Sequence, residues 1–221
     1  MNHLNLQHPG VWMELFPKAL ELMRHLETQI AKPQWSFGGG TVLMLRIGHR
    51  QSKDIDLFVP DPQYLGHVNP RLSDVAESVS TDYEEHAEFI KLFLPQGEID
   101  IVVGAALTDA PFELVRYLGK SILFETNAEI IAKKMWHRGD QGKARDLFDL
   151  CAVAQADPKA IKTAAPFMER HGAAFLTRIE VRAALVEREY DAIDALKFRM
   201  PFGQCMDMAK EIIRPQLKKP L

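Results

Sequence analysis

FGGGTVLMLRIGHRQSKDIDLF, residues 37–58, sets out three elements whose succession decides the fold. Trp35 to Phe37 reads as a short extended segment, Gly38-Gly39-Gly40 turns the chain, and Thr41 to Ile47 continues as a short helix. Lys53 to Val59 then alternates as a strand does and stops at Pro60. Glycines between a strand and a helix let backbone amides face outward with the helix N-terminus behind them, which favours an anion. Thr41 can cap that helix or donate to a phosphate; a plain tight turn is the simpler reading of the glycines. Within the strand, Asp54 and Asp56 are two apart and leave one face, while Ile55 and Leu57 anchor the other. Like charges so close raise one another's pKa and need a compensating cation. Hard oxygen ligands in this pattern suit Mg²⁺ or Mn²⁺, particularly with phosphate oxygens completing the shell. Two solvated acids at a strand end are the alternative.

Further along, AEFIKLFLPQGEIDIVVG, residues 87–104, holds two more strands, Phe89 to Leu94 and Ile99 to Val103, separated by Pro95-Gln96-Gly97. Asp100 stands between two β-branched residues and projects to the face opposite them. If its strand neighbours the first, Asp100 completes a three-carboxylate cluster with Asp54 and Asp56. Glu98 shares its parity but is expected in solvent near the turn. The order of anion loop, short helix and paired-acid strand argues against two other phosphate sites. A Walker loop needs Gly-Lys-Ser/Thr at its end, and Thr41 is followed by Val42. No clean G-x-G-x-x-G is present either.

Upstream, residues 11–30 read as a helix interrupted near Pro17. Residues 61–85 are expected as loop and helix, the helix around Arg71 to Ser80. After Gly104 the pattern changes: 111–118 reads as helix, Ser121 to Phe124 as one more strand, and the remainder as helices. Thr126 followed by Glu129 begins a helix over 127–138 as a capping box. The next runs from Lys143 to Ala156, with others over 159–170, 172–189, 191–198 and 204–213. The fold class expected is α/β followed by α, with an α/β domain over 1–118 and a mainly helical domain over 119–221. Charge divides at almost the same place. Residues 1–110 carry 8 basic and 15 acidic groups, and residues 111–221 carry 19 and 15, beneath a total of -3.

A 221-residue chain that is 47% hydrophobic and 26% charged is globular rather than disordered. Its two cysteines, Cys151 and Cys205, make no disulfide framework and read as buried free thiols. The start MNHLNLQHPGVW lacks a basic segment and an apolar core, so no secretion signal is expected. No apolar run approaches the ~18 residues of a membrane span. The expectation is a cytoplasmic protein without a membrane partner; its oligomeric state is not legible.

The runs 37–58, EIDIVVG at 98–104 and EIIAKKMWHRGDQGKARDLFDL at 129–150 together resemble the nucleotidyl transferase AbiEii/AbiGii toxin family, a branch of the DNA polymerase β-like nucleotidyltransferase superfamily. The resemblance implies a polymerase β-like α/β domain with a mixed sheet, followed by helices. It makes Gly39, Gly40 and Thr41 the nucleotide loop, Asp54 and Asp56 the metal-binding pair, and Asp100 the third acid. Arg50 and Ser52, from the G-H-R-x-S segment, are placed on the nucleotide side, where Arg50 either contacts nucleotide or braces the site. Lys134 matches the lysine of the family's first C-terminal helix motif and becomes the triphosphate ligand. Arg145, Asp146 and Asp149 match its R-D-L-x-D-L segment. Arg145 then grips a phosphate or pairs with Asp149, and Asp146 orients Lys134 or Arg145. His49 reads as structural, and Trp136 as a core or interdomain contact.

The expected activity is transfer of an NMP from an NTP to an acceptor hydroxyl, with Mg²⁺ or Mn²⁺ and release of pyrophosphate. By resemblance the acceptor is RNA, such as a tRNA 3′ end, and the protein is the toxin of a toxin–antitoxin pair with an antitoxin partner. A protein hydroxyl is the alternative acceptor. Two other classes stand beside this reading: a metal-dependent phosphohydrolase and a non-catalytic interaction protein. DIDLF lacks the hydroxyl residue a haloacid-type phosphatase needs two positions after its second acid.

Overall fold

The computed structural model describes residues 4–217. Seven strands form one mixed sheet: β1 (Ser36–Gly38), β2 (Ile55–Val59), β3 (Tyr83–His86), β4 (Phe89–Leu94), β5 (Gly97–Val103), β6 (Phe112–Tyr117) and β7 (Lys120–Glu125). Their order across the sheet is β3-β4-β5-β2-β1-β7-β6. β2 runs parallel to β5 and β1 parallel to β7, while the other neighbours are antiparallel. Three helices accompany the sheet: α1 (Trp12–Gln29), α2 (Gly39–Ile47) and α3 (Asp74–Val79). Six follow it: α4 (Asn127–Arg138), α5 (Ala144–Ala156), α6 (Pro158–Ala164), α7 (Gly172–Val181), α8 (Ala183–Asp191) and α9 (Phe202–Ile213).

The core forms where the apolar parity of the central strands meets α1. Ile55, Leu57, Ile99 and Ile101 are fully buried, as are Trp12, Leu15 and Phe16 of α1. Phe16 stacks on Phe37 at 4.6 Å, and Phe37 meets Phe124 edge-on at 5.3 Å. α1 runs unbroken through Pro17, against the expected interruption. A proline early in a helix forfeits one backbone hydrogen bond, and the buried face on both sides of Pro17 holds the helix together.

The expected mixed sheet followed by helices is present, with several local differences. Residues 112–117, read as helix, form strand β6. Its turn is Leu118-Gly119, whose φ values of 48° and 78° are both left-handed, as a two-residue hairpin requires. The sheet therefore continues past residue 118, and the division expected there falls in the turn between two paired strands. β3 carries charged residues with no apolar alternation and exists because β4 pairs with it. The region 61–85 holds a 3₁₀ turn at Pro62–Val68 and the short helix α3, capped by Ser73. The helix expected over 172–189 is broken at Arg182 into α7 and α8. Residues 194–197, expected as helix, are irregular and clasp the chain before β2. Leu196 N–H donates to the His49 carbonyl at 2.8 Å, and Gln51 N–H to the Asp194 carbonyl at 2.8 Å. Those tertiary hydrogen bonds replace the helical ones. Cys151 and Cys205 are buried and free.

Candidate active site

The parallel pairing of β2 with β5 sets Asp56 directly beside Asp100. Because side chains alternate, both acids leave the sheet opposite the buried isoleucines and Leu57. They form the floor of a cavity of about 420 Å³. Gly39, Gly40 and Asp54 line it on the sheet side, and Lys134, Arg138, Lys143 and Arg145 on the helical side.

Burial and the neighbouring Asp56 charge push the Asp100 carboxyl up to about 7, although Lys91 opposes them. Lys91 Nζ lies 3.0 Å from Asp100 Oδ2. The other oxygen, Oδ1, is buried and has no hydrogen-bond partner among the described residues. Burial likewise raises the Asp56 carboxyl, against the positive charges of Arg138 and Lys134.

Asp54 lines the same cleft, and its charge adds to the rise of the Asp56 carboxyl. It precedes the first residue of β2, and its Oδ1 accepts the Glu98 N–H at 3.2 Å. Among the described residues, no group of three His, Cys, Asp or Glu side chains is placed to hold a metal ion. Asp54, Asp56 and Asp100 thus line one cleft, with one Asp54 oxygen engaged at the β4–β5 turn. Strand parity alone could not show that a backbone amide would claim Asp54. Glu98, expected in solvent, is half-exposed and paired with Lys91 at 2.5 Å.

The glycine loop is shaped by what crowds it. A Cβ on Gly38 would stand 2.1 Å from Glu125 Oε2, and one on Gly39 would stand 1.9 Å from Asp56 Oδ2. Gly39 also has a φ of +67°. α2 begins here without a side-chain cap, so its first amides face the cleft unclaimed by any side chain. Thr41 is turned away from the cleft: its hydroxyl is fully buried, donates to the Asp54 carbonyl at 2.5 Å and lies 3.0 Å from Ser52 Oγ. It ties α2 to the chain entering β2. Gly39→Ala is expected to cost about 1–3 kcal/mol of stability. A thermal melt of the variant checks this.

On the helical side, most of the cations already have partners. Lys134 Nζ lies 2.7 Å from Asp146 Oδ1 and 3.0 Å from Asp149 Oδ2. Arg138 reaches Asp146 at 2.7 Å. Arg50 grips both oxygens of Asp149, at 2.7 and 2.9 Å, and His49 Nε2 reaches Asp149 at 2.8 Å. Burial would raise the Asp146 carboxyl, but Lys134 and Arg138 outweigh it and hold the group down at about 2. Asp149 is also held well below the usual carboxylate range; Arg50, Lys134 and His49 overcome its burial. Asp146 is held between Lys134 and Arg138, and Arg50 is already engaged by Asp149. The Arg145–Asp149 pair is not formed, because Asp149 faces α2 and Arg50 occupies it. Trp136 packs edge-on against Phe167 at 6.1 Å, with Arg170 over its ring.

A model of the AbiEii family, described as "Nucleotidyl transferase AbiEii toxin, Type IV TA system", matches residues 21–217. This chain belongs to the AbiEii nucleotidyltransferase family. Its match spans both the sheet and the helices that close the cleft. Similar solved structures include a crystal structure from H. pylori assigned as a nucleotidyltransferase. It is 16% identical with a TM-score of 0.47, covering 92% of this chain and 96% of that one. The antibiotic-resistance factor ANT(2'')-Ia is 12% identical with a TM-score of 0.48, covering 81% and 99%. The STING-associated CdnE c-di-GMP synthase from Capnocytophaga granulosa is 13% identical with a TM-score of 0.31, covering 94% and 82%. No curated protein matches the chain. No helix among the described residues is long and apolar enough to cross a membrane.

Two features of this AbiEii-family cleft escaped the sequence reading. Lys143, two residues before Arg145, lines the cleft with it, and among the described residues neither side chain has a hydrogen-bond or ion-pair partner. Partial loss of solvent within the cleft and the repulsion of Arg138 lower the Lys143 ammonium, although Asp146 opposes them. The spacing K-x-R-D at the start of α5 was the available signal. The second feature is Lys133, which lies over the Phe58 ring at 3.9 Å and pairs with the buried Glu125 at 2.6 Å. Burial pushes the Glu125 carboxyl up to about 7 against the pull of Lys133.

The acids of the floor suit a hard divalent cation. Two half-buried carboxylates repel across adjacent strands, and the orphaned Oδ1 of Asp100 is an oxygen donor in need of a partner.

Proposed function

We propose that the chain is a divalent-metal-dependent nucleotidyltransferase that moves an NMP from an NTP to an acceptor hydroxyl and releases pyrophosphate. The observation that carries this reading is the Asp56–Asp100 pair facing two unpartnered cations across one cleft. Such a cleft accommodates a ligand that is anionic at one end and brings its own cation to the other, as a metal-bound nucleoside triphosphate does. Mg²⁺ or Mn²⁺ on Asp56 and Asp100, with Asp54 at the margin, would supply charge neutralisation of the triphosphate and a lowered acceptor pKa.

The residues of the chain supply the rest. Gly39 and Gly40 present backbone amides to phosphate oxygens. Lys143 and Arg145 take the outer phosphates. Lys134, the expected triphosphate ligand, acts through the Asp146–Asp149 network that holds the helical wall, and it remains within the cleft to reach a phosphate when a nucleotide enters. Ser52 and Arg50 support the loop from behind. The Asp100 carboxylate, beside the metal it would share with Asp56, would take the acceptor's proton.

For the acceptor we favour RNA, such as a tRNA 3′ end, in keeping with the basic balance of residues 111–221. As a toxin the protein would act under control of an antitoxin, in the cytoplasm. Incubation with each labelled NTP, Mg²⁺ or Mn²⁺, and total RNA or total protein tests both parts. Label in RNA with pyrophosphate release is the expected result. Label in protein moves the acceptor to a protein hydroxyl. Phosphate release from simple phosphomonoesters without pyrophosphate would replace transfer by hydrolysis.

The free cations carry their own expectation. Lys143→Ala and Arg145→Ala each raise KM for the NTP about tenfold, the worth of one charge-assisted phosphate contact. Their melting temperatures stay at the wild-type value because both side chains are exposed. Steady-state kinetics and a thermal melt on the same preparations check this.

A further inference from the structure

β6 ends the sheet on one side, with β7 as its only strand neighbour among the described residues. The hairpin geometry decides which of its backbone groups are free. Tyr117 and Lys120 pair across the two-residue turn, and the Pro111 carbonyl accepts the Thr126 N–H at 2.9 Å. The odd-numbered residues of β6 therefore bond to β7, and the N–H and C=O of Phe112, Leu114 and Arg116 point away from the sheet. Leu114 is 66% exposed, and Leu118 at the adjoining turn is 51% exposed. An open edge with a bare leucine at its middle is a template for another strand. The opposite edge is guarded differently. β3 reads Tyr-Glu-Glu-His, and its Glu85 is paired with Arg71 at 2.8 Å.

We propose that β6 pairs antiparallel with β6 of a second copy of this chain, about a two-fold axis through Leu114, joining two sheets into one. Hydrogen-bond parity sets the register, because only residues with outward backbone groups can face one another. The register that uses all three sets Leu114 opposite Leu114 and Phe112 opposite Arg116 at both ends. Leucine then covers leucine, and each guanidinium meets an aromatic ring. No two like charges stand opposite, and Glu113 on the other face keeps its own Arg46 at 2.9 Å. A second copy meets each of these requirements by symmetry. β7, β1 and β2 separate this edge from Asp100, so the contact leaves the cleft open.

A cysteine placed at position 114 tests the register directly. In the two-fold arrangement it faces its own copy at about 5.5 Å between Cα atoms, within disulfide reach. The native Cys151 and Cys205 are buried and do not compete. Leu114→Cys with an added oxidant is expected to give a covalent dimer. Leu72→Cys, at a position 60% exposed elsewhere, is expected to stay monomeric. Sedimentation of the wild-type chain should show a mass twice that of one chain, and Leu114→Pro should return it to one. That proline removes only an outward N–H, so β6–β7 pairing survives. If Leu114→Pro fails to fold, Leu114→Lys replaces it, since the side chain is already in solvent. A wild-type chain that sediments as a monomer throughout, or cross-links no better at 114 than at 72, overturns the proposal. A dimer that persists in Leu114→Lys overturns it as well.

Discussion

Asp56→Asn is expected to abolish the proposed nucleotidyl transfer, a loss of about a thousandfold or more, and to leave the protein folded. Asp56 sits at the floor of the cleft beside Asp100, and its carboxyl is already raised by burial. The folded chain therefore gains nothing from charge there in the absence of a cation, and an amide of the same shape relieves the repulsion on Asp100. The melting temperature of the variant, measured without metal, is expected to equal or exceed that of the wild type. Adding Mg²⁺ or Mn²⁺ should raise the wild-type melting temperature and leave the variant unmoved, because a ligand that binds only the folded form stabilises it. Rate and melt separate two outcomes. A folded variant that transfers NMP at the wild-type rate removes Asp56 from the mechanism. A variant that melts far below the wild type shows that the acid is structural.

Asp149→Ala has the largest expected effect on stability, a loss of about 3–5 kcal/mol. Asp149 is fully buried and is the common partner of Arg50, His49 and Lys134, so its removal strands buried cations. Denaturant unfolding of wild type and variant measures the difference. The interaction also has a pH signature. Asp149 is held well below its unfolded value of about 3.9. A depressed carboxylate contributes fully above the unfolded pKa, and its contribution fades as pH falls through the folded one. The gap in unfolding free energy between wild type and Asp149→Asn should thus be complete at neutral pH and shrink below about pH 4. A gap that stays constant into acid would mean that the charge of Asp149 is not what stabilises the fold.

Much of the site was legible because it follows from short-range chemistry. Glycines before a helix, acids two apart on a strand and an acid between β-branched residues each carry their geometry locally. Lys134 was legible as a member of the cleft, but its partners were not. Asp146 and Asp149 lie 12 and 15 positions further on, and only the packing of α5 against α4 turns them toward it. The Asp54 contact was not legible for a similar reason, since the Glu98 amide that bonds to it lies 44 positions further on. β6 was missed because FELVRY suits a helix as well as a strand, and its pairing with β7 settles the choice.

By itself the sequence determined the alternation that buries Ile55, Leu57, Ile99 and Ile101, the glycine turn into α2, and the acids that leave the opposite face. These are consequences of a two-residue or 3.6-residue period, which neighbours in the chain obey wherever they end up. The tertiary structure alone decided which acids meet which cations. It paired Asp56 with Asp100 through strand register, spent Lys134, Arg138 and Arg50 on buried carboxylates, and left Lys143 and Arg145 without partners. A charge is free or satisfied only by reference to what folds against it, and that depends on contacts between residues far apart in the chain.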